Sequence, residues 1–191
     1  MLLNIVLDLD ECLLHTFGQD SWNVYNKIMR DPKYFDLRQR IFYIEINGEP
    51  YWGIKRPHLD LFLSYCFMTF TNVCVWSAGT KPYVKAVVKE IFKDFKQPHL
   101  VMTRNDVYYY KKEAYTKPLS FLFDRMEGVD ETNTIMLDDK DDNFLYNPNN
   151  GIVVSEYLPD TTIESMRENE DTLLNLIYLF STFLIASNLK V

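Results

Sequence analysis

The chain has 191 residues and a formal charge of −7, with 47% apolar, 25% charged and 15% aromatic side chains. Such a chain buries about two-thirds of the surface it exposes when unfolded, and 6 glycines and 8 prolines are too few for a disordered or linker-rich polypeptide. Net acidity argues against a protein that holds nucleic acid by phosphate neutralisation alone, so no direct nucleic-acid binding is expected.

In chain order, MLLNIVLDLD has no basic segment, and Asp8 and Asp10 interrupt its apolar run, so it is not read as a signal peptide. Residues 3–7 form a short apolar run that ends in this acidic cluster. Residues 17–39 show no clear period and are expected to be irregular. In 40–56, Asn47-Gly48 separates two aromatic and β-branched runs, which predicts a hairpin. Residues 58–68 read as a helix opened by Pro57, and 72–76 as a second apolar run ending at Ser77. In 81–96, Val84, Val87, Val88, Ile91, Phe92 and Phe95 follow the spacing of an amphipathic helix, with Lys81, Lys85, Lys89 and Lys93 four apart on the other side. Tyr108, Tyr109 and Tyr110 suggest surface or edge-strand packing. Pro118 opens a further helix over 118–126, and 133–137 and 151–154 are the third and fourth apolar runs. Residues 173–189 carry no charge. They fall short of the about 20 mainly apolar residues that span a bilayer and are read as a buried terminal helix, so no membrane association is expected.

Short apolar runs alternating with helices indicate an α/β fold around a parallel sheet buried on both faces. Residues 1–191 are expected to form one domain, with 17–56 inserted after the first strand and no large cap.

Cys12, Cys66 and Cys74 form no CxxC pair and are odd in number, which fits a reducing compartment. A cysteine-nucleophile phosphatase needs Arg six residues after its Cys. Those positions hold Gly18, Asn72 and Thr80, which excludes that chemistry. His15, His58 and His99 share no metal-ligand spacing. Residues 81–117 hold nine basic and four acidic side chains, a local +5 against −12 elsewhere.

The residues that point to chemistry lie at strand ends, where doubly wound sheets bind ligands. Asp8 and Asp10, two apart, place two carboxylates at the end of the first run. Such charges repel unless a proton or a cation sits between them, and Mg²⁺ prefers oxygen ligands. Ser77 ends the second run, Asp138-Asp139 ends the third, and Lys117 opens the helix between them. Each has a bland reading as a turn residue or a surface lysine, but the four groups occur in order, three at strand ends and Lys117 at a helix start.

Asp8-Leu9-Asp10-Glu11-Cys12-Leu13-Leu14-His15 resembles the first motif of the haloacid-dehalogenase superfamily. Within it, the match is to the phosphatases of the RNA polymerase II C-terminal domain (CTD), the small CTD phosphatases, NLI-interacting-factor-like and dullard-type enzymes, whose motif reads D-L-D-E-T-L-V-H. Lys55-Arg56-Pro57 resembles their K-R-P segment, Trp76-Ser77-Ala78 motif two, Tyr115-Thr116-Lys117-Pro118-Leu119 motif three, and Leu137-Asp138-Asp139-Lys140 motif four. Asn147 to Ile152 resembles the closing loop and last strand. Cys12 stands where the family carries Thr.

The resemblance implies a HAD-like (Rossmannoid) fold and an Mg²⁺-dependent phosphatase acting on phosphoserine or phosphothreonine of a protein, including the polymerase tail. It implies Asp8 as nucleophile, Asp10 as acid and base, Ser77 and Lys117 as phosphate-stabilising groups, and metal held by the Asp8 carboxylate, the Asp10 carbonyl and Asp139, with Asp138 supporting the loop. Arg104 is expected to contact phosphate and Tyr83 to grip the peptide, with core packing an equal alternative for Tyr83. The partner implied is a phosphorylated protein or peptide, in the nucleus or cytoplasm. Open alternatives are a small phosphometabolite, a polynucleotide 3′-phosphate, a non-catalytic phosphopeptide-binding protein, and a phospho-receiver domain.

Overall fold

The computed structural model describes residues 4–111 and 114–188. In chain order its elements are β1 (Asn4–Leu7), β2 (Leu14–Phe17), α1 (Trp22–Arg30), α2 (Phe35–Arg38), β3 (Ile41–Ile46), β4 (Glu49–Lys55), α3 (Leu59–Thr69), β5 (Asn72–Trp76) and α4 (Lys81–Ile91). They continue with β6 (Leu100–Met102), β7 (Tyr108–Tyr109), β8 (Tyr115–Thr116), α5 (Ser120–Phe123), β9 (Thr134–Asp138), β10 (Gly151–Val153), α6 (Ile163–Arg167) and α7 (Thr172–Asn188).

The expected central sheet is present. It is parallel, in the order β10-β9-β1-β5-β6. Odd and even positions of the apolar runs supply opposite faces, as a period of two requires. Ile5, Leu7, Val73, Val75, Ile135 and Leu137 pack with α3, α4 and α7. Val6, Cys74, Trp76 and Met136 face Leu119, Leu122, Val129 and Phe144 on the other side. Each fully buried aliphatic side chain here contributes about 1.5–3 kcal/mol relative to exposure.

The register aligns the strand ends. Leu7 pairs with both Val75 and Leu137, so Asp8 stands level with Asp138 and one step short of Ser77. The other end of the sheet is pinned by asparagines: Asn72 Nδ2 donates to Asn4 Oδ1 at 2.7 Å, and Asn4 Nδ2 donates to Asn133 Oδ1 at 2.6 Å. From β1 the chain builds outward on one side through β5 and β6, then crosses back to β9 and β10 on the other side of β1. The crevice beyond Leu7 is therefore the switch point where ligands bind in this fold class.

The predicted hairpin is β3–β4, turned at Asn47 (φ 54°) and Gly48 (φ 84°) in the left-handed conformations that such turns demand. It gains a partner the sequence reading left out: β2 pairs antiparallel with β4. Residues 17–39, expected to be irregular, instead contain α1 and α2. The cause is tertiary. Trp22, Tyr25 and Ile28 recur every three residues, too brief a stripe to stand out, and pack against the cluster around Phe17, Trp52 and Ile54.

Two further expectations change in extent. The helix expected over 118–126 is reduced to Ser120–Phe123, followed by turn bonds such as Arg125 N–H to Leu122 O. The terminal helix forms; among its described side chains Leu173, Leu176 and Phe180 are buried, while Tyr178, Leu179 and Phe183 are exposed, and Leu189 of the expected helix lies outside the described residues. Among the described residues no helix is long and apolar enough to cross a membrane. Tyr108 and Tyr109 form a short strand with β8, as expected.

Candidate active site

The chain leaves β1 at Leu7 and turns back on itself within six residues. Asp8 N–H donates to Leu137 O at 3.1 Å, Leu13 N–H to Leu9 O at 2.8 Å, and Glu11 N–H to Leu14 O at 2.9 Å. Leu9, Cys12 and Leu13 are buried and anchor the turn, while Glu11 takes a left-handed φ of 57°, uncommon for a non-glycine residue. The buried Cys12 thiol is held neutral by burial and by the nearby Asp8 charge. The turn separates the two acidic side chains: Asp8 meets Lys117, and Asp10 meets Ser77 and Tyr83.

Lys117 follows β8 and is 1% exposed. Its Nζ lies 2.5 Å from Asp8 Oδ1 and 2.5 Å from Asp138 Oδ2. Asp138 ends β9, and its other oxygen accepts from Lys140 N–H at 3.0 Å and Asn143 Nδ2 at 2.7 Å. Asn143 also presents its carbonyl to Lys117 N–H and to the Thr116 hydroxyl. Ser77 Oγ donates to Asp10 Oδ2 at 3.2 Å and accepts the Gly79 N–H at 3.0 Å. These groups line a cavity of about 210 Å³ with Glu11, Ala78, Arg104, Tyr115, Asp139 and Lys140 on its walls.

The charges do not cancel. One buried ammonium faces two carboxylates, with Asp10 and Asp139 beside them. Burial opposes the charge on Lys117, but Asp8 and Asp138 outweigh it and raise its pKa, so it stays protonated. Burial, with help from Asp138 and Asp10, pushes Asp8 well above the usual carboxylate range despite Lys117. Burial also raises Asp10, and burial with the Asp138 charge raises Asp139 to about 6. A carboxylate cluster in this condition lacks positive charge.

The donor set fits a hard divalent cation. One carboxylate oxygen each from Asp8, Asp138 and Asp139 lies within 4.8 Å of the others. Both oxygens of Asp138 already have hydrogen-bond partners, which leaves Asp8 and Asp139 as the available side-chain donors. All-oxygen donors suit Mg²⁺.

Of the residues singled out from sequence, Asp8, Asp10, Ser77, Lys117, Asp138, Asp139 and Arg104 line one cavity. Arg104 is exposed there, with Nε donating to Ala78 O at 2.9 Å. Tyr83 is not among the lining residues; its hydroxyl bonds to Asp10 instead. Sequence reasoning missed Asn143, Tyr115, Lys140 and Glu11 as wall residues. Asn143 carries no signal of its own, because its role depends on a short helical turn folding back under Lys117. It also gave no role to Arg56, which is 1% exposed. Arg56 pairs with Glu170 through two bonds of 2.8 Å and donates to Cys12 O, Ser155 Oγ and Thr172 Oγ1. Its own N–H donates to Leu13 O, so it clamps the turn that carries Asp8 and Asp10.

Comparison with known proteins identifies relatives of the chain. The CTD phosphatase-like protein 355R of Invertebrate iridescent virus 3 is 27% identical over 189 residues, covering 94% of this chain and 95% of that protein. The structure of the fission yeast RNA polymerase II CTD phosphatase Fcp1-R271A bound to beryllium fluoride superposes with a TM-score of 0.64 at 24% identity, over 97% of this chain and 51% of that one. A second structure of Fcp1, described as an essential RNA polymerase II CTD phosphatase, gives 0.61 at 25% identity, over 93% and 49%. The chain thus spans about half the length of the solved proteins it matches. The family model for NLI interacting factor-like phosphatase matches residues 3–189. The chain belongs to this family of CTD-phosphatase-like proteins and has its haloacid-dehalogenase-type α/β fold.

Proposed function

We propose that the chain is an Mg²⁺-dependent phosphatase that removes phosphate from phosphoserine or phosphothreonine of a protein substrate through an aspartyl-phosphate. The observation that carries this reading is the buried Lys117 ammonium set 2.5 Å from both Asp8 and Asp138, beside Asp10, on the wall of one cavity. The names of the relatives make the polymerase II C-terminal domain the first substrate to test.

In this reading Asp8 attacks phosphorus, forming an Asp8 O–P bond as the bond to the serine or threonine oxygen breaks. Asp10 gives that oxygen its proton and then takes a proton from the water that displaces Asp8. Lys117 holds Asp8 in place and favours its ionised form against the burial that opposes it, while the Ser77 hydroxyl and the Arg104 guanidinium take phosphoryl oxygens, Arg104 in the paired geometry suited to phosphate. Asp138, fixed by Lys117, Lys140 and Asn143, orients the lysine. Asp8, Asp139 and the Asp10 carbonyl would hold Mg²⁺, whose charge neutralises a bound phosphate. We read residues 1–191 as one domain working in the nucleus or cytoplasm.

The test is hydrolysis of p-nitrophenyl phosphate and of phosphoserine peptides by wild type and Asp8→Asn, with Mg²⁺ and with EDTA. Only wild type with Mg²⁺ should turn over. Equal rates in all four conditions contradict the proposal, and a lower KM for a small phosphate ester than for any phosphopeptide contradicts the protein substrate.

A further inference from the structure

We propose that Tyr83 is a positioning residue for Asp10, locking one carboxylate oxygen so that the other alone exchanges protons with the substrate, and that Thr16 steadies Tyr83 in this task. The inference rests on the acid and base role given to Asp10 above.

The hydrogen bonds run in one direction. Tyr83 O–H donates to Asp10 Oδ1. With that proton committed, the Thr16 hydroxyl, 2.8 Å from the Tyr83 oxygen, is the donor to Tyr83. Asp10 Oδ2 instead meets Ser77 Oγ at 3.2 Å. Asp10 and Ser77 line the cavity, and Tyr83 is not among the residues that do. Oδ1 is therefore the protein-side oxygen and Oδ2 the one on the cavity wall. A carboxylate free to rotate about its last bond would exchange the two, and Tyr83 blocks that rotation.

The position of the ring is itself specified. Tyr83 sits in the first turn of α4, and its ring lies against Gly79, where a Cβ would fall 2.7 Å from Tyr83 Cδ1 and 3.1 Å from Ser77 Oγ. Only glycine lets the ring close onto the loop that carries Ser77. Thr16 comes from β2, the strand that joins the inserted hairpin sheet. The outer sheet thus braces the acid through two hydroxyls.

The proton count is unchanged by this device. In the first step Asp10 Oδ2 loses its proton to the leaving oxygen as the P–O bond breaks and the Asp8–phosphorus bond forms. In the second, water's oxygen bonds phosphorus, the Asp8–phosphorus bond breaks, and water's proton passes to Oδ2. The Tyr83 proton stays on its own oxygen throughout.

Tyr83→Phe keeps the ring and removes the bond. The experiment measures kcat and kcat/KM with p-nitrophenyl phosphate, phenyl phosphate and a phosphoserine peptide, because kcat/KM reports steps through P–O cleavage and only poor leaving groups need the acid. Expected is a fall of about tenfold in kcat/KM for phenyl phosphate and the peptide, and of less than about twofold for p-nitrophenyl phosphate, whose kcat nevertheless drops because water attack uses the same oxygen. Thr16→Val should give the same pattern at smaller size. Asp10→Asn should give it at larger size, and if Asp10→Asn shows no leaving-group dependence, the acid and base reading itself falls and takes this inference with it. If Asp10→Asn shows the pattern while Tyr83→Phe lowers every substrate equally, or none, Tyr83 only packs and the inference alone is overturned.

Discussion

Two buried cations, Lys117 and Arg56, are each 1% exposed and sit on either side of the same turn, yet they are built differently. Arg56 meets one carboxylate, Glu170, and spends its remaining donors on Cys12 O and two hydroxyls. Lys117 meets two carboxylates in a cavity walled by three more, Asp10, Glu11 and Asp139, with Arg104 and Lys140 as its other cations. The first network is balanced and satisfied, and it fixes the backbone. The second is short of positive charge, which a bound cation would supply and a phosphate's transition state would use. Burial with balance marks a structural clamp, and burial without balance marks a centre kept ready for a ligand.

Asp8→Asn separates the two most sharply. It should cost about a thousandfold or more in kcat, because the nucleophile is gone. It should leave the thermal midpoint of the metal-free protein unchanged or higher, because it relieves one of two crowded acids. A large loss of stability would break the contrast. Arg56→Met should do the reverse, lowering stability by about 3–5 kcal/mol in urea titrations by leaving Glu170 unpaired; residual activity should track the folded fraction and the loosened turn. Asn143→Ala comes next. It removes a bond to Asp138, which orients Lys117, and should lower kcat for p-nitrophenyl phosphate by about 10-fold with little change in Mg²⁺ affinity. Unchanged kcat would show that Asp138 needs no such support.

The smallest expected effect is a pair of opposite pH dependences. In EDTA, the pKa values of Asp8, Asp10 and Asp139 are raised in the folded state, Asp139 to about 6. Their stabilising contribution is full below the unfolded carboxylate value of about 3.9 and is lost as pH rises through each folded value, about 6 for Asp139. Glu170 is the mirror case. Burial works to raise it, but the Arg56 bonds outweigh burial and lower it, so its contribution is full above about 4.3 and lost as pH falls through the folded value. Urea midpoints measured across pH should lose part of their decline between about pH 4 and 6 in Asp139→Asn, and lose part of their rise below about pH 4.3 in Glu170→Gln. Matching slopes in both variants would mean the networks are alike.

The same contrast explains what was legible in the sequence. The runs at 4–7, 73–76 and 134–137 are buried on both faces, so composition alone announces them, and their parallel register brings Asp8, Ser77 and Asp138 together. Lys117 could be placed because it stands in a motif. Elements whose burial depends on a distant partner were less visible. α1 shows its apolar stripe only against Trp52 and Ile54, and α7 buries Leu173, Leu176 and Phe180 while Tyr178, Leu179 and Phe183 face outward. The Arg56–Glu170 pair joins residues 114 apart, a separation no local pattern encodes. Tyr83 reads as a core or peptide-gripping aromatic until the fold shows its hydroxyl on Asp10.

The central claim is that Asp8 becomes covalently phosphorylated. Rapid acid quench of a single turnover with ³²P-labelled phosphopeptide and Mg²⁺ tests it most directly. The account predicts transient label on the protein that is acid-stable, released by hydroxylamine as an acyl phosphate is, confined to the segment containing Asp8 and absent in Asp8→Asn. Turnover without any such label, or label that persists in Asp8→Asn, would contradict it.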